Sequence, residues 1–480
     1  MRVSPHSLPT RRCALAAIAV MSSFTTSPAH AEDDSESVVV PSTTRPTIGF
    51  YRWQEDWSVL ADPSKRTETG DDLKYIALSD DDPKRYLSLG VTLRERFEYN
   101  DATAFGVTGL GEHDYVIHRL EVHADAHLTD RTRVFVQVEN ALAPGLHPQG
   151  PADANKLDLR LAFVDSSLDW DDGTFKYRIG RQEMAFDLQR FISVRDGPNV
   201  RQAYDAIWAD YERGDWRISG FASQPVQYRN RTTFDDFSNR HLAYSGMRLQ
   251  HRDIGGGDLS VTFSEYRNDN ARFLAAAGEE HRRNVDLHYT GTAQGFDWDA
   301  EGMLQRGSLG GKDVDAWAIG TLAGYTFANM AWKPRIGVQL DAASGDRNLG
   351  DSRVGTFNPM LPNGYYVTLS GYTGYSNFIH AKPSITLSPM AGMKLLAAVG
   401  GLWRQTTQDA VYLQPSIPLP GTAGQPGRRT ATYAELRLDW AITRSWAMAI
   451  EADHYDAAAA VQRAGGHDSN YLGAEIRWGW

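Results

Sequence analysis

The chain has little cysteine: one residue, Cys13, in 480. Cys13 lies in an N-terminal stretch with three arginines, a short apolar run and the triplet Ala29-His30-Ala31, which has the form of a secretory cleavage site. We therefore expect residues 1–31 to be a signal peptide that is removed. The mature chain then has no thiol, which excludes disulfides, zinc thiolates and a cysteine nucleophile.

The remaining chain also lacks any apolar run near the roughly 18 residues of a membrane-spanning helix. The full chain of 480 residues has a mean hydropathy of −0.45 and a net charge of −11. It has no basic tail, which argues against nucleic acid as a partner. It contains no nucleophile elbow, P-loop or H-E-x-x-H motif. We therefore expect no enzymatic activity, no cofactor and no bound metal.

What the chain does have is a long alternation of apolar and polar residues. Leu120, Val122 and Ala124 share one parity, and Arg119 and Glu121 share the other. A period of two indicates strands with one apolar face. These stretches exceed the roughly five or six residues of a soluble strand and approach the nine to eleven that a membrane strand needs. The 43 glycines, 13 tryptophans and 21 tyrosines fit strands, turns and aromatic belts. A periplasmic all-β protein would share this composition, but not such long alternation.

About eighteen segments show this pattern, and even strand numbers are the rule for outer-membrane barrels. The predicted strands are 86–99, 114–128, 131–142, 157–168, 174–184, 204–212, 215–223, 240–250, 258–267, 282–291, 295–306, 313–327, 331–343, 375–388, 391–405, 430–441, 444–455 and 469–480.

The connections between these segments alternate in length. Thr129-Asp130 is short and 143–156 is long, while 185–203 and 344–374 are also long. Short periplasmic turns and long outer loops produce this rhythm in membrane barrels. The sequence thus predicts an all-β fold: a closed antiparallel transmembrane β-barrel over 86–480, in the bacterial outer membrane, in contact with its lipid and lipopolysaccharide.

Two segments precede the predicted barrel. Residues 32–45 are polar and are expected to be disordered. Residues 46–85 do not alternate and are rich in proline, aspartate and arginine. We expect them to form a non-barrel extension, periplasmic or lumenal.

Several short motifs follow one another along the chain: Tyr86-Leu87-Ser88-Leu89-Gly90, Arg94-Glu95-Arg96-Phe97-Glu98, Arg133-Val134-Phe135-Val136-Gln137, Gly180-Arg181-Gln182-Glu183, the run from Ser193 to Arg201, Ser344-Gly345-Asp346, Thr356-Phe357-Asn358-Pro359, and Trp403-Arg404-Gln405 with Asp409 and Tyr412. With these motifs in this order, the chain resembles the alginate-export family of outer-membrane channels from about residue 46 to the end. The resemblance implies a monomeric eighteen-stranded barrel with a narrowed, arginine-lined pore that passes an anionic polysaccharide.

Parity also predicts which charged residues face the lumen, because an arginine or lysine facing lipid at mid-membrane costs about 2–4 kcal/mol. The predicted pore-lining or substrate-binding residues are Arg94, Arg96, Arg119, Arg160, Arg335, Arg404, Arg437, Arg477, Glu98 and Asp158. Arginine pairs bidentately with carboxylates and stays charged. Lumenal acids of the same parity are nearly as numerous, so anion preference does not follow from counting, and wall-bracing ion pairs are the alternative role.

From strand direction we expect six of these arginines to form a positive ring in the outer half of the pore: Arg94, Arg96, Arg119, Arg160, Arg404 and Arg437. Within the long loop 185–203, Arg195, Asp196 and Arg201 either narrow the pore or belong to a rigid cap. His123, Asp125 and His127 share a face, but same-face neighbours stand about 7 Å apart, too far to share one ion. The Ser344-Gly345-Asp346 region offers oxygen ligands without an EF-hand pattern.

The function predicted from the sequence is an outer-membrane channel for passive diffusion or export of an anionic, alginate-like polysaccharide or uronate. One alternative is a general anion or uptake porin for small acidic solutes. A less favoured alternative is an outer-membrane hydrolase. Periplasmic export proteins are conceivable partners, and the sequence does not give the direction of transport.

Overall fold

The computed structural model describes residues 45–480. The predicted signal peptide and nearly all of the predicted disordered segment lie outside the described residues. The barrel strands are β1 Tyr86–Asn100, β2 His113–His127, β3 Thr132–Leu142, β4 Asn155–Trp170, β5 Gly173–Gln182, β6 Tyr204–Arg213, β7 Trp216–Gln227, β8 Leu242–Ile254, β9 Gly257–Arg272, β10 Ala277–Ala293, β11 Phe296–Leu309, β12 Lys312–Thr326, β13 Arg335–Ala343, β14 Phe378–Leu387, β15 Met393–Trp403, β16 Arg429–Ala441, β17 Trp446–Ala457 and β18 Ser469–Gly479.

These strands form one closed sheet. Each strand pairs antiparallel with the strands next to it in sequence, and β1 pairs with β18 from Thr92↔Gly479 to Asn100↔Tyr471. Closure leaves no free edge, which is what allows strands to cross a bilayer with every backbone group paired. The prediction of a closed eighteen-stranded antiparallel barrel is confirmed.

The two faces of the sheet differ as the alternation predicts. Arg94 and Arg282 face the lumen and are fully buried, whereas Leu436, Leu304 and Met247 face outward and are about 60 % exposed to the surrounding lipid phase. Burying polar groups inside and presenting apolar ones to lipid follows from the cost of charge in the bilayer.

Connections differ at the two ends of the barrel. One end has short turns such as 171–172, 214–215 and 255–256. The other end carries long loops, with two exceptions: 273–276 and 310–311 are also short, because strands β9 to β12 continue as extended hairpins beyond the predicted segments.

Two long loops fold into the lumen and meet there. Ile192 of loop 183–203 forms a parallel bridge with Leu361 of loop 344–377. Phe191 packs edge-on against Phe357 and Tyr375. The meeting point is an apolar core inside a polar lumen, and it fixes both loops in the inward position.

Residues 45–85 lie at the short-turn end and form no barrel strand. They contain three 3₁₀-helices, Arg52–Gln54, Ser58–Ala61 and Pro63–Lys65, an α-helix Asp71–Lys74 and a short strand Ile76–Ala77 beside the start of β1. The remaining elements are a 3₁₀-helix Thr103–Gly106, an α-helix Ala459–Gln462 and the short strands Phe237–Ser238, Arg353–Val354, Tyr412–Leu413 and Ile417–Pro418. Over residues 45–480, no helix has the length and apolarity to cross a membrane.

Candidate functional site

Arginines on three adjacent strands approach one another in the lumen. Arg94 on β1 lies directly opposite Arg119 on β2 and Arg477 on β18 in the strand register. Like charges in direct cross-strand pairs repel, so this arrangement needs carboxylates nearby. Together with Arg96 on β1 and Arg201 from loop 183–203, these residues form what we call the arginine cluster.

The carboxylate at the centre of the cluster is that of Asp196. Arg119 forms a short ion pair with it, and the Arg477 Nη2 lies 2.6 Å from Asp196 Oδ2. Arg94 and Arg201 each lie 3.7 Å from its other oxygen. Four guanidinium groups therefore surround one buried loop carboxylate.

Backbone contacts hold loop 183–203, which we call the constriction loop, against the same wall. Arg94 donates to the carbonyls of Asp196 at 2.7 Å and Pro198 at 3.1 Å. Arg96 donates to the Gly197 carbonyl at 2.6 Å. Loop carbonyls and one carboxylate thus occupy the guanidinium forks that the sequence assigns to the pore.

Further acids neutralise the rest of the cluster. Glu475 pairs with Arg477 at 2.5 Å and with Arg96 at 3.3 Å. Glu98 pairs with Arg96 at 2.5 Å and accepts from the Tyr115 hydroxyl at 2.6 Å. The cluster is therefore a dense network of ion pairs in which every arginine has a carboxylate within 4 Å.

Two of the other predicted arginines lie close to this network. Arg160 pairs with Glu183 at 2.7 Å, at the start of the constriction loop, and Glu183 also pairs with Arg201. Arg437 pairs with Asp439 and Glu451 and lines a cavity of about 20 Å³ that also touches Asp196. A cavity of that size holds a water molecule and no sugar ring.

The structure places other predicted residues away from the cluster. Arg335 pairs with Asp297 near the short-turn end. Arg404 follows β15 and donates only to backbone carbonyls of the loop after it, those of Thr422, Gln425 and Gly427 among them, so it does not join a ring with Arg94.

Asp158 and Arg195 also have roles other than lining an open pore. Asp158 accepts from the backbone amides of Asp235 at 2.6 Å and Asp236 at 3.1 Å, which fixes loop 228–241. Arg195 is half-buried and makes no ion pair among the described residues, with a backbone φ of 51°.

Among the described residues, neither region considered for metal brings three ligand side chains within reach of one ion. Asp346 accepts from the amides of Asn348 at 2.8 Å and Gly355 at 3.2 Å, so its oxygens close a loop. His123 stacks on Phe135, and Asp125 pairs with Arg133 at 3.4 Å.

Sequence reasoning missed several buried lumenal cations. Arg248 and Arg282 lie on predicted strands with inward parity and could have been identified in the same way as Arg94. Arg190 lies in the constriction loop, where no parity applies, so no signal in the sequence marks it. Arg190 and Arg248 pair with a second group of buried carboxylates, across the lumen from the arginine cluster.

Comparison with known proteins gives one family and a set of barrels. A family model described as alginate export matches residues 85–475. No curated protein sequence matches the chain.

Similar solved structures include Acinetobacter baumannii OccAB4, with 10 % identity, a TM-score of 0.54 and coverage of 82 % of this chain and 97 % of that one. Pseudomonas aeruginosa OpdQ gives 10 %, 0.53, 82 % and 97 %. P. aeruginosa OccK2, solved in complex with glucuronate, gives 12 %, 0.50, 82 % and 98 %. At such identities the likeness shows the fold.

Proposed function

Because the chain belongs to the alginate-export family of outer-membrane channels, we propose that it lets an acidic polysaccharide or uronate cross the outer membrane passively. The family and the fold are of the channel type. We further propose that the channel is not an enzyme and that it acts as a monomer, as the resemblance to the family implies. Proteins that deliver a polymer from the periplasm would be its transport partners.

The convergence of four arginines on Asp196 is the observation that carries this proposal. The lumen binds a carboxylate at this point, and a uronate offers the same chemical group to the same guanidinium forks. The glucuronate complex of OccK2 adds support, since a protein with this fold takes a sugar acid.

Passage requires the constriction loop to move. The cavity beside Asp196 is about 20 Å³, and the arginine cluster is buried under loop backbone. We propose that this loop swings away from Arg94 and Arg119 and that sugar carboxylates then exchange with Asp196 on the exposed guanidinium groups. Carboxylates within the cluster weaken the hold on any one sugar, and conduction needs release as well as binding.

Single-channel recording in planar bilayers tests the proposal. We expect anion selectivity in a salt gradient and block by oligouronates but not by neutral oligosaccharides of equal length. Replacing Arg94 and Arg119 together with glutamine should reduce both effects. The matched control replaces Arg213 and Arg444 together with glutamine, which removes the same charge at two exposed residues of the short-turn end.

Two outcomes would contradict the proposal. A porin for small acidic solutes would conduct with anion selectivity and without block by oligouronates. A hydrolase would give no conductance and would cleave glycan or lipid in the same preparation.

A further inference from the structure

A second group of buried charges lies on strands half-way around the barrel from β1. Asp286 on β10, Asp299 and Glu301 on β11 and Asp187 of the constriction loop form what we call the carboxylate cluster. All four are more than nine-tenths buried. Carboxylates are almost never buried at this density without cations to compensate them.

Three of the four carboxylates have cationic partners. Arg248 holds Asp187 through both oxygens, at 2.5 and 2.9 Å. Arg190 donates to Asp299 at 2.7 Å and to Glu301 at 2.8 Å. His288 lies between Asp187 and Asp299, with one ring nitrogen 2.7 Å from each.

Asp286 is the exception. Its Oδ2 is buried and has no hydrogen-bond partner among the described residues. The side chain points into the cluster, since carboxylate oxygens of Asp187, Asp286 and Glu301 all lie within 4.8 Å of one another. An ionised carboxylate left unpaired in such a place is costly, and metal coordination is one of the ways proteins offset that cost.

We propose that Asp187, Asp286 and Glu301 bind a divalent cation of the Ca²⁺ type. All the ligand atoms offered are oxygens, which suit Ca²⁺ and do not suit Zn²⁺, for which nitrogen and sulfur dominate. Ca²⁺ binds oxygens at about 2.3–2.6 Å, so oxygens up to about 5 Å apart can share one ion. Mg²⁺ fits less well because it demands a regular octahedron.

The ion would link the constriction loop to the barrel wall. Asp187 belongs to the loop, whereas Asp286 and Glu301 belong to strands, so one ion bridges a movable element and a fixed one. Arg190 and Arg248 hold two of these carboxylates, those of Glu301 and Asp187, from the side and keep them oriented. The inference concerns this bridge and is independent of the substrate proposed above.

Calorimetric titration of the mature chain tests the proposal. The chain should be refolded in detergent, free of lipopolysaccharide, because lipopolysaccharide itself binds divalent cations. After treatment with EDTA and its removal, CaCl₂ is added up to about 10 mM, above the millimolar dissociation constants of weak extracellular sites. We expect one Ca²⁺ to bind per chain. We also expect Ca²⁺ to raise the temperature at which the folded form of the protein is lost, followed as a band on an electrophoresis gel.

Variants locate the site. Asp286→Asn combined with Glu301→Gln should weaken binding by at least about 10-fold, since even changes outside the first coordination shell cost that much. Asp313→Asn combined with Asp315→Asn, at two exposed carboxylates near the outer end of β12, is the matched control and should bind as the unaltered chain does.

Loss of Ca²⁺ binding can be distinguished from loss of folding, because the folded band on the gel shows whether each variant has folded. The proposal is overturned if the unaltered folded chain binds no Ca²⁺, which would mean that a proton compensates Asp286. It is equally overturned if the folded double variant binds Ca²⁺ unchanged. Neither outcome decides whether the channel selects anions or is blocked by oligouronates, so the proposed function is tested by its own experiment.

Discussion

Asp196 offsets positive charge where Arg119 and Arg477 both pair with it. Asp196→Asn keeps the shape of the side chain and removes its charge, leaving the cluster more positive. We expect the reversal potential in a salt gradient to shift toward anions and oligouronate block to become tighter. Asp313→Asn, the same change at an exposed site, should alter neither quantity.

The same substitution should also weaken the inward position of the constriction loop. Removing one partner of a buried pair typically costs about 3–5 kcal/mol, so the channel should open more often in bilayer recordings. An unchanged reversal potential in a correctly folded Asp196→Asn variant would show that the pore senses charge elsewhere.

Lys74 gives the N-terminal segment a dependence on pH. Its ammonium group donates to the Leu89 carbonyl at 2.8 Å and lies over the Trp480 ring. Burial, aided by the nearby Arg52, lowers the pKa of Lys74 from 10.5 to about 7. Between these values the unfolded segment carries a proton that the docked segment does not, so docking strengthens as pH rises through this window, by at most about 1.4 kcal/mol per pH unit.

Protease protection of residues 45–85 measures this effect. Protection, normalised to cleavage of the unfolded chain, should increase from pH 7 to pH 9. In Lys74→Met, protection should not change between pH 7 and pH 9, because the titrating group is absent. A decrease with pH in the unaltered chain would contradict the assigned direction.

The outward faces of the strands lie against lipid, and a substitution on β11 tests this contact. Leu304 lies near the middle of β11, faces lipid and has Val285 and Trp317 as cross-strand neighbours. Leu304→Arg should lower the free energy of unfolding in lipid vesicles by about 2–4 kcal/mol, measured by denaturant titration. Leu304→Phe, which keeps the face apolar, should change it far less, and equal losses would argue against lipid contact.

The strands were predictable from the sequence because lipid imposes the alternation. The segment 375–388 became β14, Phe378–Leu387, and 430–441 became β16 almost unchanged. The outer ends of β9 and β10 were missed, since beyond the bilayer a hairpin needs backbone pairing but no apolar face, and residues such as Asn268 and Glu280 show no alternation of hydropathy.

The candidate site was predictable only in part, for the same reason. Parity placed Arg94 and Arg119 in the lumen. It could not place their partners, because Asp196 comes from a loop whose path depends on packing between Ile192 and Leu361. Arg404 shows where prediction from parity fails. It lies just past the end of β15, so its side chain binds loop carbonyls and does not line the pore.

The lumen of the barrel is filled from both ends. The constriction loop and loop 344–377 enter from the side of the long loops, and the N-terminal segment enters from the short-turn side. The two sides touch: the Trp53 Nε1 donates to Glu183 at 3.2 Å, and the Arg201 guanidinium lies 4.2 Å from the Phe50 ring. Movement of the N-terminal segment is therefore coupled by contact to the base of the constriction loop.

Trp53 is the side chain that anchors this segment. It is 1 % exposed, packs edge-on against Phe163 of the wall and lies 3.9 Å beneath the Arg178 guanidinium. Truncating a buried aromatic to alanine typically costs about 3–5 kcal/mol, enough to release a short segment without unfolding an eighteen-stranded barrel. We therefore expect Trp53→Ala to raise single-channel conductance and to expose residues 45–85 to protease.

Leu73→Ala is the matched control, a truncation in the same segment at a side chain that is 47 % exposed. It should leave both conductance and protection unchanged. The decisive result is the combination of the two measurements in Trp53→Ala. If the segment becomes protease-sensitive while conductance stays the same, ions pass around the segment and the constriction loop alone controls the pore. If both change together, the channel is closed from the periplasmic side as well, and passage of a substrate requires displacement of the N-terminal segment.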